Sequence, residues 1–127
     1  MPESNGQTER VFKTAWFSRA AKKARITDAQ LYEAITQVRA GQGDDLGGGV
    51  SKKRLNKNMH RSIVLAEGRK FWVYAYLYAK KDRANIDDDE LAAVRELANL
   101  HARKTSAHIE AELANKEVLE IHDDEKG

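Results

Sequence analysis

The sequence predicts an α+β domain: a small, twisted, mainly antiparallel sheet of about four to five strands, with an N-terminal helix pair and a C-terminal helix. Three observations lead there. Strand-like alternation at residues 10–16 gives way to two successive helical patterns. Three strand-like runs follow one another between residues 50 and 80. A strongly signalled helix begins at Asp87.

In chain order, residues 1–9 are polar and read as a disordered lead-in. Residues 10–16 (RVFKTAW) alternate Val11, Lys13 and Ala15 against Phe12, Thr14 and Trp16, the pattern of a first strand. Residues 17–24 read as a short basic helix. The second helix spans residues 27–41, with Leu31, Ala34, Ile35 and Val38 at helical spacing. Thr27 and Gln30 form its capping box and Gly41 its stop. Residues 41–49, rich in Gly and Asp, read as a loop.

Residues 50–56 and 61–66 make two strands joined by a hairpin at 56–60. Glu67, Gly68 and Arg69 then turn the chain into a long strand at 70–80, dense in aromatic and β-branched residues. Alternation places Phe71, Val73, Ala75, Leu77 and Ala79 on one face, and Trp72, Tyr74, Tyr76, Tyr78 and Lys80 on the other. Both faces are apolar enough to demand a central position in the sheet. The helix from Asp87 to about residue 104 has a capping box (Asp87, Glu90) and an acidic first turn that suits the helix dipole. Leu91, Val94, Leu97 and His101 share its apolar face. A short helix at 106–115, a strand at 117–121 and a frayed tail at 123–127 complete a single domain over residues 10–122.

Composition narrows the function classes. With 41% hydrophobic and 33% charged residues, the chain can bury a core and remain well solvated. The absence of cysteine excludes a disulfide scaffold and thiolate metal sites. There is no apolar N-terminal stretch of the signal-peptide kind and no run of about 18 apolar residues, so the expectation is a cytoplasmic protein with no membrane partner. The net charge of +2 conceals a strong polarity along the chain. Residues 50–83 hold ten basic side chains against two acidic ones, whereas residues 84–127 hold five against twelve. A basic middle of this kind points to a polyanion.

The basic residues have a geometry. In a strand, Lys52 and Arg54 share one face and Lys53 the other. Arg61 opens the next strand, Lys80 closes the one after it, and Lys81 and Arg83 follow into the loop. Antiparallel pairing brings these groups to one end of the sheet as a cationic pocket. Lys and Arg bind phosphate through charge-assisted hydrogen bonds, and in cleavage they stabilise charge developing on the nonbridging oxygens. RNA supplies its own nucleophile, the 2′-OH. Tyr74, Tyr76 and Tyr78 offer stacking surfaces or a phenolic proton donor. Composition and spacing alone leave this anion site and a merely solvated basic face equally open.

His60 is the histidine nearest the cluster and a candidate acid or base, while His101 reads as packed and His108 and His122 as surface residues. No histidine or carboxylate spacing makes a metal site, and no cofactor is expected. Asp87, Asp88 and Asp89 are explained by a helix N-terminus. The LGGGV segment precedes a strand and lacks the phosphate-loop pattern.

Three segments carry a family likeness: VFKTAWFSRAAKKARITDAQLYEAI, DLGGGVSKKRL and VYAYLYAKKDRANIDDDEL. Together they resemble the RelE/ParE toxin superfamily, in particular its HigB-like, RelE-type branch of type II toxin–antitoxin systems. ELANKEVLEI is similar to the family's closing helix and strand. The resemblance covers residues 10–122 and implies a RelE-like fold and a ribosome-associated mRNA endonuclease that inhibits translation without a metal. It also implies a cognate antitoxin, commonly a helix-turn-helix protein. Carried over by position, it implicates Lys53, Arg54, Arg61 and Lys80 in catalysis, with Arg61 and Lys80 stabilising transition-state charge and Lys53 or Arg54 steering the phosphate. Lys52 and Arg83, carried over in the same way, and Lys57, Lys81, Tyr76 and Tyr78, from the basic cluster and its aromatic neighbours, are the expected RNA-binding residues. The chain departs from the family pattern in its short 56–59 hairpin and in the histidine before Arg61. The alternatives are a non-catalytic ParE-like inhibitor of DNA gyrase and a plain nucleic-acid-binding module.

Overall fold

The computed structural model describes residues 10–67, 71–83 and 85–122; the expected lead-in, the frayed tail and the Gly68 and Arg69 part of the turn lie outside these. Strand β1 (Arg10–Thr14) is followed by helices α1 (Ala15–Lys23) and α2 (Asp28–Arg39). Strands β2 (Asp44–Gly47), β3 (Val50–Leu55), β4 (His60–Glu67) and β5 (Phe71–Ala79) come next. Helices α3 (Asp88–His101) and α4 (Ser106–Ala114) and strand β6 (Val118–Ile121) finish the chain. The described strands form one sheet in the order β2-β3-β4-β5-β1-β6. Pairing is antiparallel except between β1 and β5.

The fold class is the expected one, with two local corrections. Residues 44–47 are a strand and not a loop. They form an edge hairpin with β3, which Gly48 and Gly49 make possible at φ +65° and +82°. A Cβ on Gly49 would stand 3.2 Å from the Ala66 carbonyl oxygen, so glycine is also required by space. The first strand stops at Thr14, two residues early, because the Thr14 hydroxyl accepts a bond from the Phe17 amide and caps α1. Ala15 and Trp16 are therefore helical. The capping boxes at Thr27 and Asp87 are both present, and Thr105 makes a third with His108.

The sheet is buried on both sides. Helices α1 and α2 cover one face through a cluster that includes Phe17, Leu31, Ile35, Val64, Tyr74 and Leu77. Helices α3 and α4 cover the other through Phe12, Ile63, Leu65, Val73, Ala98 and Ile109. His101 is buried, as its position on the α3 apolar stripe implied. At β1 and β6, Arg10 grips Glu120 with a two-pronged ion pair at 2.8 and 2.9 Å and reaches Glu110 at 3.0 Å.

Candidate anion site at the hairpin end of the sheet

A β-bulge decides what this site contains. The β4–β5 register runs Ile63 opposite Tyr76 but Val64 opposite Tyr74, so Ala75 is the extra residue. One inserted residue reverses side-chain alternation. Trp72 and Tyr74 consequently face α1 and α2, while Tyr76 and Tyr78 face the α3 side. This corrects the expectation of four aromatics on one face. Tyr74 is wholly buried and donates its hydroxyl hydrogen to the Leu31 carbonyl at 2.7 Å, and burial pushes its phenol far above the usual range. It is a structural tie and is not available to a ligand.

On the α3 side, register aligns Arg54, Arg61 and Tyr78 across three strands, with Lys52, Ile63 and Tyr76 one step further along. Arg61 is only 8% exposed. Its Nη1 donates to the carbonyl and side-chain oxygens of Asn58 at 3.0 and 3.2 Å, and to the His60 carbonyl at 3.4 Å. That grip holds an unusual hairpin in which Asn56, Lys57 and Asn58 are all left-handed, at φ 55°, 56° and 73°. The guanidinium of Arg83 lies 5.4 Å from the Tyr78 ring centre and pairs with Glu90, while its Nε donates to the Asn85 carbonyl at 3.2 Å. Lys52 Nζ donates to Asn85 Oδ1 at 2.8 Å, with Asp44 at 4.0 Å. Arg54 is exposed and has no side-chain partner among the described residues.

Electrostatics follow from this arrangement. Burial raises the Tyr78 phenol, and the charges of Arg61 and Arg83 pull it back down. The phenol is therefore protonated near neutrality, with Arg61 opposite it in the strand register and Arg83 over its ring. Arg83, followed by the Asp87 backbone amide, holds the Glu90 carboxyl below its ordinary range.

The other basic residues lie elsewhere. Lys53 sits opposite Ser62 and Leu77, on the α1 and α2 side, so it does not share a surface with Arg54. His60 also faces away from Arg61, because neighbours in a strand point to opposite sides; its Nδ1 lies 3.2 Å from Asn56 Nδ2. Lys80 belongs to the turn after β5, where its amide bonds the Met59 carbonyl at 2.9 Å. It lines a groove with Lys23, Lys57, His60 and Lys81. The basic residues expected in a single pocket thus fall into two groups, joined by a groove in which Lys23 and His60 meet Tyr76, Tyr78 and Arg83. Sequence reasoning missed the residues that hold the cations (Asn58, Asn85 and Glu90), whose roles depend on long-range folding and leave no local signal.

This is a small α+β domain whose central strands end in an oriented group of guanidinium and phenol side chains. A family model described as the RelE toxin of the RelE / RelB toxin-antitoxin system matches residues 9–121. The chain belongs to that family: it is a toxin of a toxin–antitoxin system, and a cognate antitoxin is its implied partner. Neither the curated proteins nor the solved structures contain a match. Among the described residues, no helix is long and apolar enough to cross a membrane.

Proposed function

We propose that this toxin is an endoribonuclease that cuts messenger RNA, in association with the ribosome, and so inhibits translation. The alignment of Arg54, Arg61 and Tyr78 across adjacent strands, with Arg83 over the phenol, carries this reading. A phosphodiester placed against that row meets two guanidinium groups suited to its nonbridging oxygens. The RNA 2′-hydroxyl gives up its proton to solvent water as its oxygen attacks phosphorus in line, and the bond to the 5′-oxygen breaks. This leaves a 2′,3′-cyclic phosphate and a 5′-hydroxyl. Tyr78, a phenol protonated near neutrality beside Arg61 and Arg83, supplies the proton that the departing 5′-oxygen takes up and regains one from solvent.

In this assignment Arg61 and Arg54 stabilise the transition state, and Lys52 and Arg83 orient the flanking phosphates. Of Lys53 and Arg54, Arg54 is assigned to the reacting phosphate because it shares a face with Arg61. Lys80, together with Lys57 and Lys81, contributes to binding and not to the reacting phosphate. The antitoxin is proposed to be a helix-turn-helix protein, following the HigB-like resemblance. Mapping of mRNA 5′ ends after expression of the toxin, and of its Arg54→Ala/Arg61→Ala variant, tests the reading. New ends that vanish in the variant are expected. Toxicity with intact mRNA and trapped DNA gyrase would overturn it in favour of the ParE-like alternative.

A further inference from the structure

The geometry points to a second RNA-contacting element, a track along α1 on which Trp16 stacks a base of the single-stranded message while Arg19 and Lys23 hold its phosphates. It rests on the reading of the chain as an RNA-directed toxin, and it involves residues outside the cleavage site. Trp16, Arg19, Ala20 and Lys23 recur at the spacing that forms one stripe on a helix, and together they line a groove. Trp16 is 45% exposed although it is among the largest apolar side chains in the molecule. Its indole lies on the Tyr76 ring at 5.1 Å between centres and 24° between planes. Tyr76 in turn meets Tyr78 at 6.0 Å, and Arg83 covers Tyr78. A continuous aromatic ladder thus runs from the exposed indole to the proposed cleavage site.

Charge says what covers the ladder. Arg19, Lys22 and Lys23 have no ion pair or side-chain hydrogen bond among the described residues. Lys23 also lines two neighbouring grooves, one holding His60, Tyr76, Tyr78 and Arg83 and the other Lys57, His60, Lys80 and Lys81. Cations without partners among the described residues, interleaved with an exposed indole, fit a polyanion carrying π-faces. A duplex keeps its bases stacked inside and fits poorly, whereas a single strand can splay a base onto the indole.

The test uses the full chain carrying Trp72→Phe, so that Trp16 alone reports fluorescence, and a non-cleavable 2′-O-methyl oligouridylate of about eight nucleotides. Binding is expected to quench Trp16 emission. Read by the anisotropy of a fluorescein label on the same oligonucleotide, Trp16→Ala should weaken binding about tenfold, while Trp16→Phe retains most of it. A polyphosphate of equal charge, lacking bases, should bind Trp16→Ala and its parent alike. Arg19→Ala/Lys23→Ala should weaken both probes and flatten the salt dependence. Unchanged emission at saturation, or equal loss of both probes in Trp16→Ala, would overturn the track. The cleavage assay separates the two proposals: binding through Trp16 without any RNA cutting removes the nuclease reading and leaves the track. Cutting with Trp16→Ala binding intact does the reverse.

Discussion

Two groups of cations meet at the hairpin end of this sheet, and they differ in how they are held. On the α3 side, Arg61 is anchored by the Asn58 oxygens, Arg83 by Glu90 and Lys52 by Asn85, with exposed Arg54 beside them. Across the sheet and along α1, Arg19, Lys23, Lys57, Lys80 and Lys81 have no such partners among the described residues. Anchoring fixes donors where charge develops, which lowers a barrier without reorganisation during the reaction. Free cations adapt to a flexible chain and raise its affinity in a salt-dependent way. On the proposed function, position and restraint, more than the count of basic residues, separate chemistry from binding.

The largest effect is expected at Arg61. Its replacement by alanine removes the donor that the proposed function sets against the reacting phosphate, and also frees the left-handed hairpin. RNA cleavage should fall about 10²- to 10³-fold, measured under single-turnover conditions with circular dichroism as the folding control. The Lys57→Ala/Lys80→Ala/Lys81→Ala variant should instead raise the half-saturating RNA concentration about tenfold and reduce the salt slope, with the maximal rate little changed. A 100-fold drop in maximal rate there would move Lys80 into the catalytic group and break the comparison.

Smaller effects sharpen it. Asn85→Ala leaves Lys52 in place but unrestrained, so the maximal rate should fall a few-fold while RNA affinity holds. Glu90→Gln removes the carboxylate that grips Arg83, and a change of twofold or so in rate is expected. Its pH dependence follows from the Glu90 carboxyl being held low by Arg83 and the Asp87 amide. The native pair contributes stability above the ordinary carboxylate range and loses it as pH falls through the lowered folded value. The difference in melting temperature between the native protein and Glu90→Gln should therefore be constant near neutrality and shrink only in strong acid. Convergence already near pH 6 would contradict the assignment.

The elements were largely legible in the sequence because local signals agreed: capping residues at Thr27 and Asp87, apolar periodicity in α2 and α3, and alternation in β3 and β4. The site was legible only in part. Strict alternation placed Lys52 with Arg54 and away from Lys53, which register upholds. The same rule failed on β5, because the bulge at Ala75 depends on pairing with β4 and has no marker such as glycine in the chain. Reading residues 10–16 as strand also hid the stripe of Trp16, Arg19 and Lys23, which exists only once Thr14 has started the helix. The anchors Asn85 and Glu90 lie in the acidic block after residue 83, whose opposite charge gave no sign that it folds against the basic one.

Steady-state cleavage of a short ribosome-positioned message, with maximal rate and half-saturation resolved separately, tests the division between held and free cations most directly. Arg61→Ala is predicted to lose rate with half-saturation nearly unchanged, and Lys57→Ala/Lys80→Ala/Lys81→Ala to show the opposite pattern. Equal losses of rate in both variants, or a rate loss confined to the lysine variant, would contradict it.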